Sequence, residues 1–300
     1  MGFMVKIINY SNITSNVFTI HDSMFPIYLI HGPKNIMVDC SILAKSAEIE
    51  ENLAEILGND KIDTVLLTHS HYDHTGACAY LQTRHHFNIL ASQRTKEILQ
   101  NPKAIKFIDK LNQEFKRLLN QDNSMHVTMP ENISAVHEGE IISVSQNQWL
   151  QVYETPGHTR CSLSFLLQPE SILFPGDAAG VMEKNGAIKP LFLSSYTQYI
   201  GSLKKISTLD AEILALPHNQ ALKGRKNVRE FFSRSLLETQ KLKTKIFQEL
   251  QISTDFNAIA EKLFSQEYPL PTIAGPREAL LINLTAMVKS IYYEFVKIAE

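Results

Sequence analysis

Thr68-His69-Ser70-His71-Tyr72-Asp73-His74-Thr75-Gly76 is the stretch that decides how this 300-residue chain is read. The apolar run Asp63–Thr68 reads as a short strand that leads straight into the histidines. In an extended segment leaving a strand, residues two apart point the same way, so His69 and His71 share a side. Asp73 and His74 follow where the chain turns into a helix. Four imidazole or carboxylate donors within six residues suit a metal that accepts nitrogen and oxygen ligands.

Three further donors repeat one arrangement. His158 follows the strand-like Leu150–Glu154, Asp177 follows Ser171–Phe174, and His218 follows Glu212–Leu216. Each sits beside Gly or Pro at the end of a short apolar run, and loops held by rigid strands are where functional side chains are commonly presented. A lone histidine or aspartate in a loop is ordinarily solvated surface. Chance does not readily put five of the eleven histidines behind strand ends in this way. His21, His31, His85, His86, His126 and His137 are read as surface or packing residues; the adjacent His85 and His86 do not converge.

Outward from these motifs, the first two thirds of the chain alternate short strands and helices. Val17–Ile20, Pro26–His31 and Asn35–Asp39 read as strands, Leu43–Leu57 as a helix, Asn88–Ala91 as a strand and the sequence to about Leu119 as helical. Gly139–Val144 and Leu163–Leu167 complete a strand-rich block. After about Asn227 the character changes. Val228–Leu250 and Phe256–Phe264 are rich in helix formers, prolines 269, 271 and 276 interrupt, and Leu280, Leu281, Leu284, Met287, Val288, Ile291, Tyr292 and Phe295 recur at helical spacing. The expectation is an α/β catalytic domain over residues 1–225 and a helical C-terminal extension over 226–300 that caps the active site.

Bulk properties narrow the function. The chain is 44% hydrophobic, enough for a large core, and its net charge of -2 with no basic stripe argues against a nucleic-acid partner. Cys40, Cys78 and Cys161 give no disulfide framework. No signal core and no run of about 18 apolar residues is visible, so the expected setting is cytoplasmic, without a membrane partner.

At the residues quoted above, the sequence resembles the metallo-β-lactamase superfamily, in motif order from Phe18 to Gly224. The resemblance implies a four-layer αββα sandwich with the site at one edge of two sheets. It implies two divalent metal ions, zinc, iron or manganese: His69, His71 and His158 on the first, Asp73, His74 and His218 on the second, Asp177 bridging both. True β-lactamases generally lack an aspartate matching Asp177, so that activity is not expected. Glyoxalase II-like thioesterases share the motif, the Gly157-His158-Thr159 step and the Gly176-Asp177 step. Greater similarity is to the quinolone-signal response family of 2-aminobenzoylacetyl-CoA thioesterases. It extends through Leu90–Thr95, Lys110-Leu111-Asn112, Pro190-Leu191 and Leu222–Arg225. Arg160-Cys161, where Pro-Gly is frequent, Asn219 after His218, and Pro175 before Gly176 depart from the pattern.

What the resemblance implies chemically is a hydrolase in which metal-activated water attacks a small-molecule thioester or ester, with Asp73 as the catalytic residue that orients the water and takes up its proton. A thiolate needs no dedicated acid to leave, since thiols ionise near about 8.5. Two other functions of the fold are weighed: a regulatory, signal-response protein using it as a binding scaffold, for which a homodimer would fit, and an iron-dependent dioxygenase. Leu191–Tyr196 and the Pro269–Arg277 loop are candidate walls of the substrate space. Asp39 is either an ordinary turn residue or a partner that holds a ligand histidine. Cys161 is expected in the core or behind the ligands, Cys78 in the core, and Lys223 and Arg225 at the surface.

Overall fold

Alternate residues of the short strands face two different interiors. In Ile27–Ile30, Tyr28 and Ile30 enter one hydrophobic cluster and Ile27 and Leu29 a second. In Leu163–Gln168, Leu163, Phe165 and Leu167 join the first of these, while Leu166 joins a third. Side chains alternate across a pleat, so a continuously apolar strand is covered on both faces. Two such sheets, back to back with helices outside each, are what this pattern calls for.

The computed structural model describes residues 10–20, 24–121, 124–183, 185–218, 221–267 and 277–297 and has that arrangement. The first sheet has seven strands in chain order: β1 (Tyr10–Asn12), β2 (Val17–Ile20), β3 (Ile27–Ile30), β4 (Ile36–Val38), β5 (Thr64–Leu66), β6 (Asn88–Ala91) and β7 (Ile133–Ala135). It is antiparallel through β4 and parallel from β4 to β7. Its helices are α1 (Ser46–Leu57), the single turn α2 (Tyr72–Thr75), α3 (Cys78–His85), α4 (Gln93–Leu99) and α5 (Pro102–Leu118).

The second sheet contains β8 (Ile141–Ser143), β9 (Trp149–Glu154), β10 (Leu163–Gln168) and β11 (Ile172–Phe174). After the small hairpin β12 (Val181–Met182) and β13 (Ile188–Lys189) and helix α6 (Tyr196–Ser207) come β14 (Ile213–Ala215) and β15 (Ala221–Lys223). The order across the sheet is β15-β14-β11-β10-β9-β8. α7 (Arg225–Leu250), α8 (Phe256–Glu267) and α9 (Arg277–Ile291) then pack with α6 on its outer face.

The layers follow from the alternation. Leu66, Val38 and Ile30 of the first sheet meet Val152, Phe165 and Phe174 of the second between the sheets. Met37, Val65 and Ile89 face α1 and α3, and Leu166, Leu173 and Leu214 face the later helices. The fold is therefore the four-layer α/β sandwich expected, with a helical C-terminal region. Several elements differ from the expected ones. Helix α6 and strands β1, β7 and β15 had no clear periodic signal, and the helical stretch to Leu119 is two helices. The first ends at Leu99 with Gln100 as its cap, and Asn101 caps the second, its side chain accepting from the Lys103 amide, with Pro102 in the first turn.

Arg277–Val296 is long and apolar enough by composition to cross a membrane. In this fold Leu284, Met287, Val288 and Ile291 of that stretch are buried among α7 and α8. At its start, Glu278 pairs with Lys110 of α5 at 2.6 Å, joining helices from opposite outer layers. Pro269, Pro271, Pro276 and Asn219 lie outside the described residues.

Candidate metal centre

Every sequence-predicted donor is carried to the same edge of the sandwich. β5 delivers His69 and His71, α2 carries Asp73 and His74, and β9, β11 and β14 each end a few residues before His158, Asp177 and His218. Two glycines are required by the crowding this creates. A Cβ on Gly157 (φ +127°) would stand 2.2 Å from the backbone of Tyr199, and one on Gly176 (φ +52°) 2.9 Å from Thr68 Cβ. The chain reaches His158 and Asp177 only by passing these points without a side chain.

The donors fall into two groups that share one carboxylate. His69 Nε2 and His71 Nδ1 lie 3.2 and 3.1 Å from His158 Nε2, which is 3.2 Å from Asp177 Oδ2. The other oxygen, Oδ1, is 3.6 Å from His74 Nε2 and 3.5 Å from His218 Nε2. Asp73 Oδ2 lies 3.9 and 3.8 Å from the same two nitrogens. His69, His74, His158 and Asp177 are buried; His71, Asp73 and His218 are partly open and mark the mouth.

The far side of most rings is held. His158 Nδ1 donates to the Leu191 carbonyl at 2.8 Å and His218 Nδ1 to the Met24 carbonyl at 3.0 Å. His74 Nδ1 donates to Asp39 Oδ2 at 2.7 Å. Asp39 also accepts from the Thr68 amide and hydroxyl, both at 2.8 Å. With its hydroxyl proton so used, Thr68 Oγ1 accepts from His69 Nδ1 at 3.1 Å. The Nε2 atoms of His69, His158 and His218 therefore present lone pairs inward.

Lone pairs 3.2 Å apart repel unless something positive lies between them. His74 Nε2 and Asp177 Oδ1 are buried without any hydrogen-bond partner. Two ligands about 2.1 Å from one ion sit about 3.0–3.5 Å apart, close to most of the spacings seen here. The donor set, its spacing and its orphaned atoms fit two divalent cations, and each of the groups His69/His71/His158/Asp177 and Asp73/His74/His218 could hold an ion.

The electrostatics of the cluster are polarised. Burial and the neighbouring imidazoles push His69 and His71 well below the usual histidine range, and burial lowers His158. Burial also works against a proton on His74, but Asp39, Asp73 and Asp177 outweigh it and hold that ring at about 10. His218 is raised in the same way, burial being overcome by Asp177 and Asp73. Burial opposes ionisation of Asp177, yet the surrounding histidines keep it well below the carboxylate range.

Asp39 does hold a candidate ligand, His74. Cys161 is buried, with Sγ 3.5 Å from Ser70 Oγ, behind the donors. Phe192 is core, and Leu191 serves through its carbonyl, so only part of Leu191–Tyr196 is free to wall a substrate space. Lys223 is exposed, and Arg225 pairs with Asp210 and Glu212 at the surface. His85 accepts the Ile62 amide, away from the cluster. Sequence reasoning missed the Leu191 and Met24 carbonyls, which carry no residue-type signal. It also missed Asn112, whose fully buried amide links Leu43 to α2: Oδ1 accepts from the Leu43 amide and Nδ2 donates to the Tyr72 carbonyl.

Comparison with known proteins agrees with this architecture. Residues 26–218, more than half of the chain, match the family model described as the metallo-beta-lactamase superfamily. The chain belongs to the metallo-β-lactamase superfamily. A metallo-β-lactamase fold-containing protein of Sulfurisphaera tokodaii is 24% identical over 84% of this chain and 90% of its own length. Its solved structure superimposes with a TM-score of 0.59 at 18% identity, covering 91% of this chain and 94% of the other. An atrochrysone carboxyl ACP thioesterase of Aspergillus fumigatus is 26% identical over 61% of this chain and 46% of its own length. A hydroxyacylglutathione hydrolase of Idiomarina loihiensis is 32% identical over 50% of this chain and 44% of its own length. The chain thus spans less than half the length of those two enzymes.

Proposed function

We propose that this protein is a hydrolase that uses two divalent metal ions to cleave a small acyl thioester or a related ester. The observation that carries the reading is the sharing of Asp177: its two oxygens face two separate donor groups, and one of them is buried with no partner. A thioesterase and a hydroxyacylglutathione hydrolase among the relatives support the substrate class. In this proposal His69, His71 and His158 would hold one cation and Asp73, His74 and His218 the other, with Asp177 available to both.

Zinc, iron or manganese bound there supplies Lewis acidity toward an acyl carbonyl and makes water acidic enough to ionise near neutral pH. The chain's own residues do the rest. The Leu191, Met24 and Asp39 acceptors fix the rings so that little reorganisation accompanies reaction. Asp73, at the mouth and partly open, orients the attacking water and accepts its proton. A thiolate leaves without a general acid. In this reading the described helices α7, α8 and α9 would cover the acyl side of the site.

The test is metal analysis of protein purified without chelator, together with hydrolysis of a panel of acyl-CoA and acyl-glutathione thioesters. About two metals per chain and thioester turnover lost on chelation are expected. Asp73→Asn that retains metal but loses at least about 100-fold in kcat supports its role; unchanged turnover refutes it. Less than half a metal per chain, not restored by zinc, iron or manganese, refutes the whole reading.

A further inference from the structure

The donors of the Asp73/His74/His218 group come from different sheets. α2, which follows β5 of the first sheet, carries Asp73 and His74, and β14 of the second sheet leads to His218. Their separation depends on how one sheet sits on the other. Apolar packing between sheets is non-directional, so a directional bond is what fixes a position across it. Two such bonds cross here, both from the run that forms β3. The Tyr28 hydroxyl donates to the Leu216 carbonyl, and the Met24 carbonyl accepts from His218 Nδ1 at 3.0 Å. Tyr28 is buried, and its ring meets that of Phe174, three residues before Asp177, edge-on at 5.3 Å. Burial, and after it the nearby Asp39, hold the phenol far above its ordinary range, so it stays a neutral donor. The other donor group has a cross-sheet bond of its own: the Leu163 amide donates to the Thr68 carbonyl at 2.7 Å, next to His69.

We propose that Tyr28 is a positioning residue: through the Leu216 carbonyl it sets where His218 stands against Asp73 and His74, and so how tightly that group holds its ion. The inference rests on the two-metal reading and names a residue that no step of the proposed hydrolysis uses. Packing alone asks only for an aromatic ring at this position, and the hydroxyl on a carbonyl two residues before a donor is the part that packing leaves unexplained. Pro217 stands between Leu216 and His218. Its ring fixes its own φ and restricts the residue before it, so the constraint passes to His218 with little slack. The imidazole is then held at its far nitrogen by Met24 and at its backbone approach by Tyr28. Because the Leu163–Thr68 bond serves the His69 side separately, loss of the Tyr28 hydroxyl should be felt by one group and not by both.

Zinc titration of the full chain against a competing chromophoric chelator tests it, in the wild type and in Tyr28→Phe, which keeps the ring and its contact with Phe174. The variant is expected to weaken the Asp73/His74/His218 group by about 3–30-fold, the range for coupling carried through a packed chain of contacts. The His69/His71/His158 group should stay within about twofold, as independent sites do. In cobalt-loaded protein, the visible absorption of the weakened ion should change and that of the other should not. Two unchanged affinities overturn the proposal. So does equal weakening of both groups, which is what a merely structural hydroxyl would give. A wild-type chain that binds no metal overturns the two-metal reading and this proposal with it, whereas unchanged affinities in a chain that binds two ions overturn this proposal alone. A readout on the wild type needs no variant to fold. A carbon-13 label at Tyr28 Cζ, assigned through its contact with Phe174, should shift when the second ion is loaded, and a resonance that stays fixed from the metal-free to the fully loaded chain also overturns the assignment.

Discussion

At the scale of single residues, the candidate donors were legible because each is a distinctive residue type at a strand end or in the turn just beyond one, whereas the groups that aim them were not. Asp39 shows the difference. The sequence left it open between turn and support, and the fold resolves this by bringing β4 and β5 side by side, so that one carboxylate accepts from the Thr68 amide, its hydroxyl and His74 Nδ1. Asp39→Ala should therefore act twice. A buried amide left unpaired costs about 1–3 kcal/mol, visible in urea unfolding. His74 loses its orientation, and metal affinity at the Asp73/His74/His218 group should fall about 10–100-fold. Metal titration showing two unchanged affinities would mean that Asp39 does not position His74. Gly157 is a second case. A methyl there would meet backbone, not a flexible side-chain end, in a conformation L-residues avoid. Gly157→Ala should destabilise the chain by at least about 2 kcal/mol, and an unchanged urea midpoint would contradict that geometry.

At the scale of elements, most strands were readable, and what could not be read is how they meet. β6 coincides with the apolar run Asn88–Ala91, and β9, β10 and β11 differ from the expected strands only at one end. β15 and β1 are three-residue edge strands, too short to carry an alternation, and α6 begins inside a segment whose apolar residues suggested a wall. The order that sets β5 beside β4 and β11 beside β14 comes from packing across many residues, which no local pattern encodes. Asn112 is the clearest example of such a long-range tie. It sits on a helix in a stretch that looks merely amphipathic, yet its amide serves Leu43 and Tyr72 and closes against Gly76. Asn112→Ala removes the partners of the Leu43 amide and the Tyr72 carbonyl, at a cost of about 1–3 kcal/mol. Because α2 carries Asp73 and His74, the same variant should release the ion of that group faster to a chelator than wild type. Equal release rates would show that α5 supports the fold without bracing the site.

At the scale of the whole molecule, convergence of donors from both sheets makes the metal-free site a set of groups with opposed proton affinities, and that predicts how metal loading depends on pH. His69, His71 and His158 are pushed below the usual histidine range, so near neutral pH they bind an ion without first losing a proton. His74, held at about 10, is protonated there, and His218 holds its proton more tightly than an ordinary histidine, so an ion entering the Asp73/His74/His218 group must displace protons. Affinity of that group should climb about tenfold per pH unit for each proton displaced, from the ordinary histidine range toward pH 10, while the first group varies little above pH 7. Lowering the pH from 8 to 6 should then strip the two ions in order, the second group's first. Folding stability of the metal-free chain has its own signs. The raised pKa of His74 adds stability that is complete below about 6.5 and is lost as pH rises through about 10. The lowered values of His69, His71 and His158 add stability present above about 6.5 and lost as the pH falls below it. Unfolding of chelator-treated protein across pH 5 to 10 should thus show a maximum near neutrality, and metal-loaded protein should gain most over it at the alkaline end. Loss of both ions together on acidification, or a metal-free stability still rising at pH 10, would contradict the separation of the two groups.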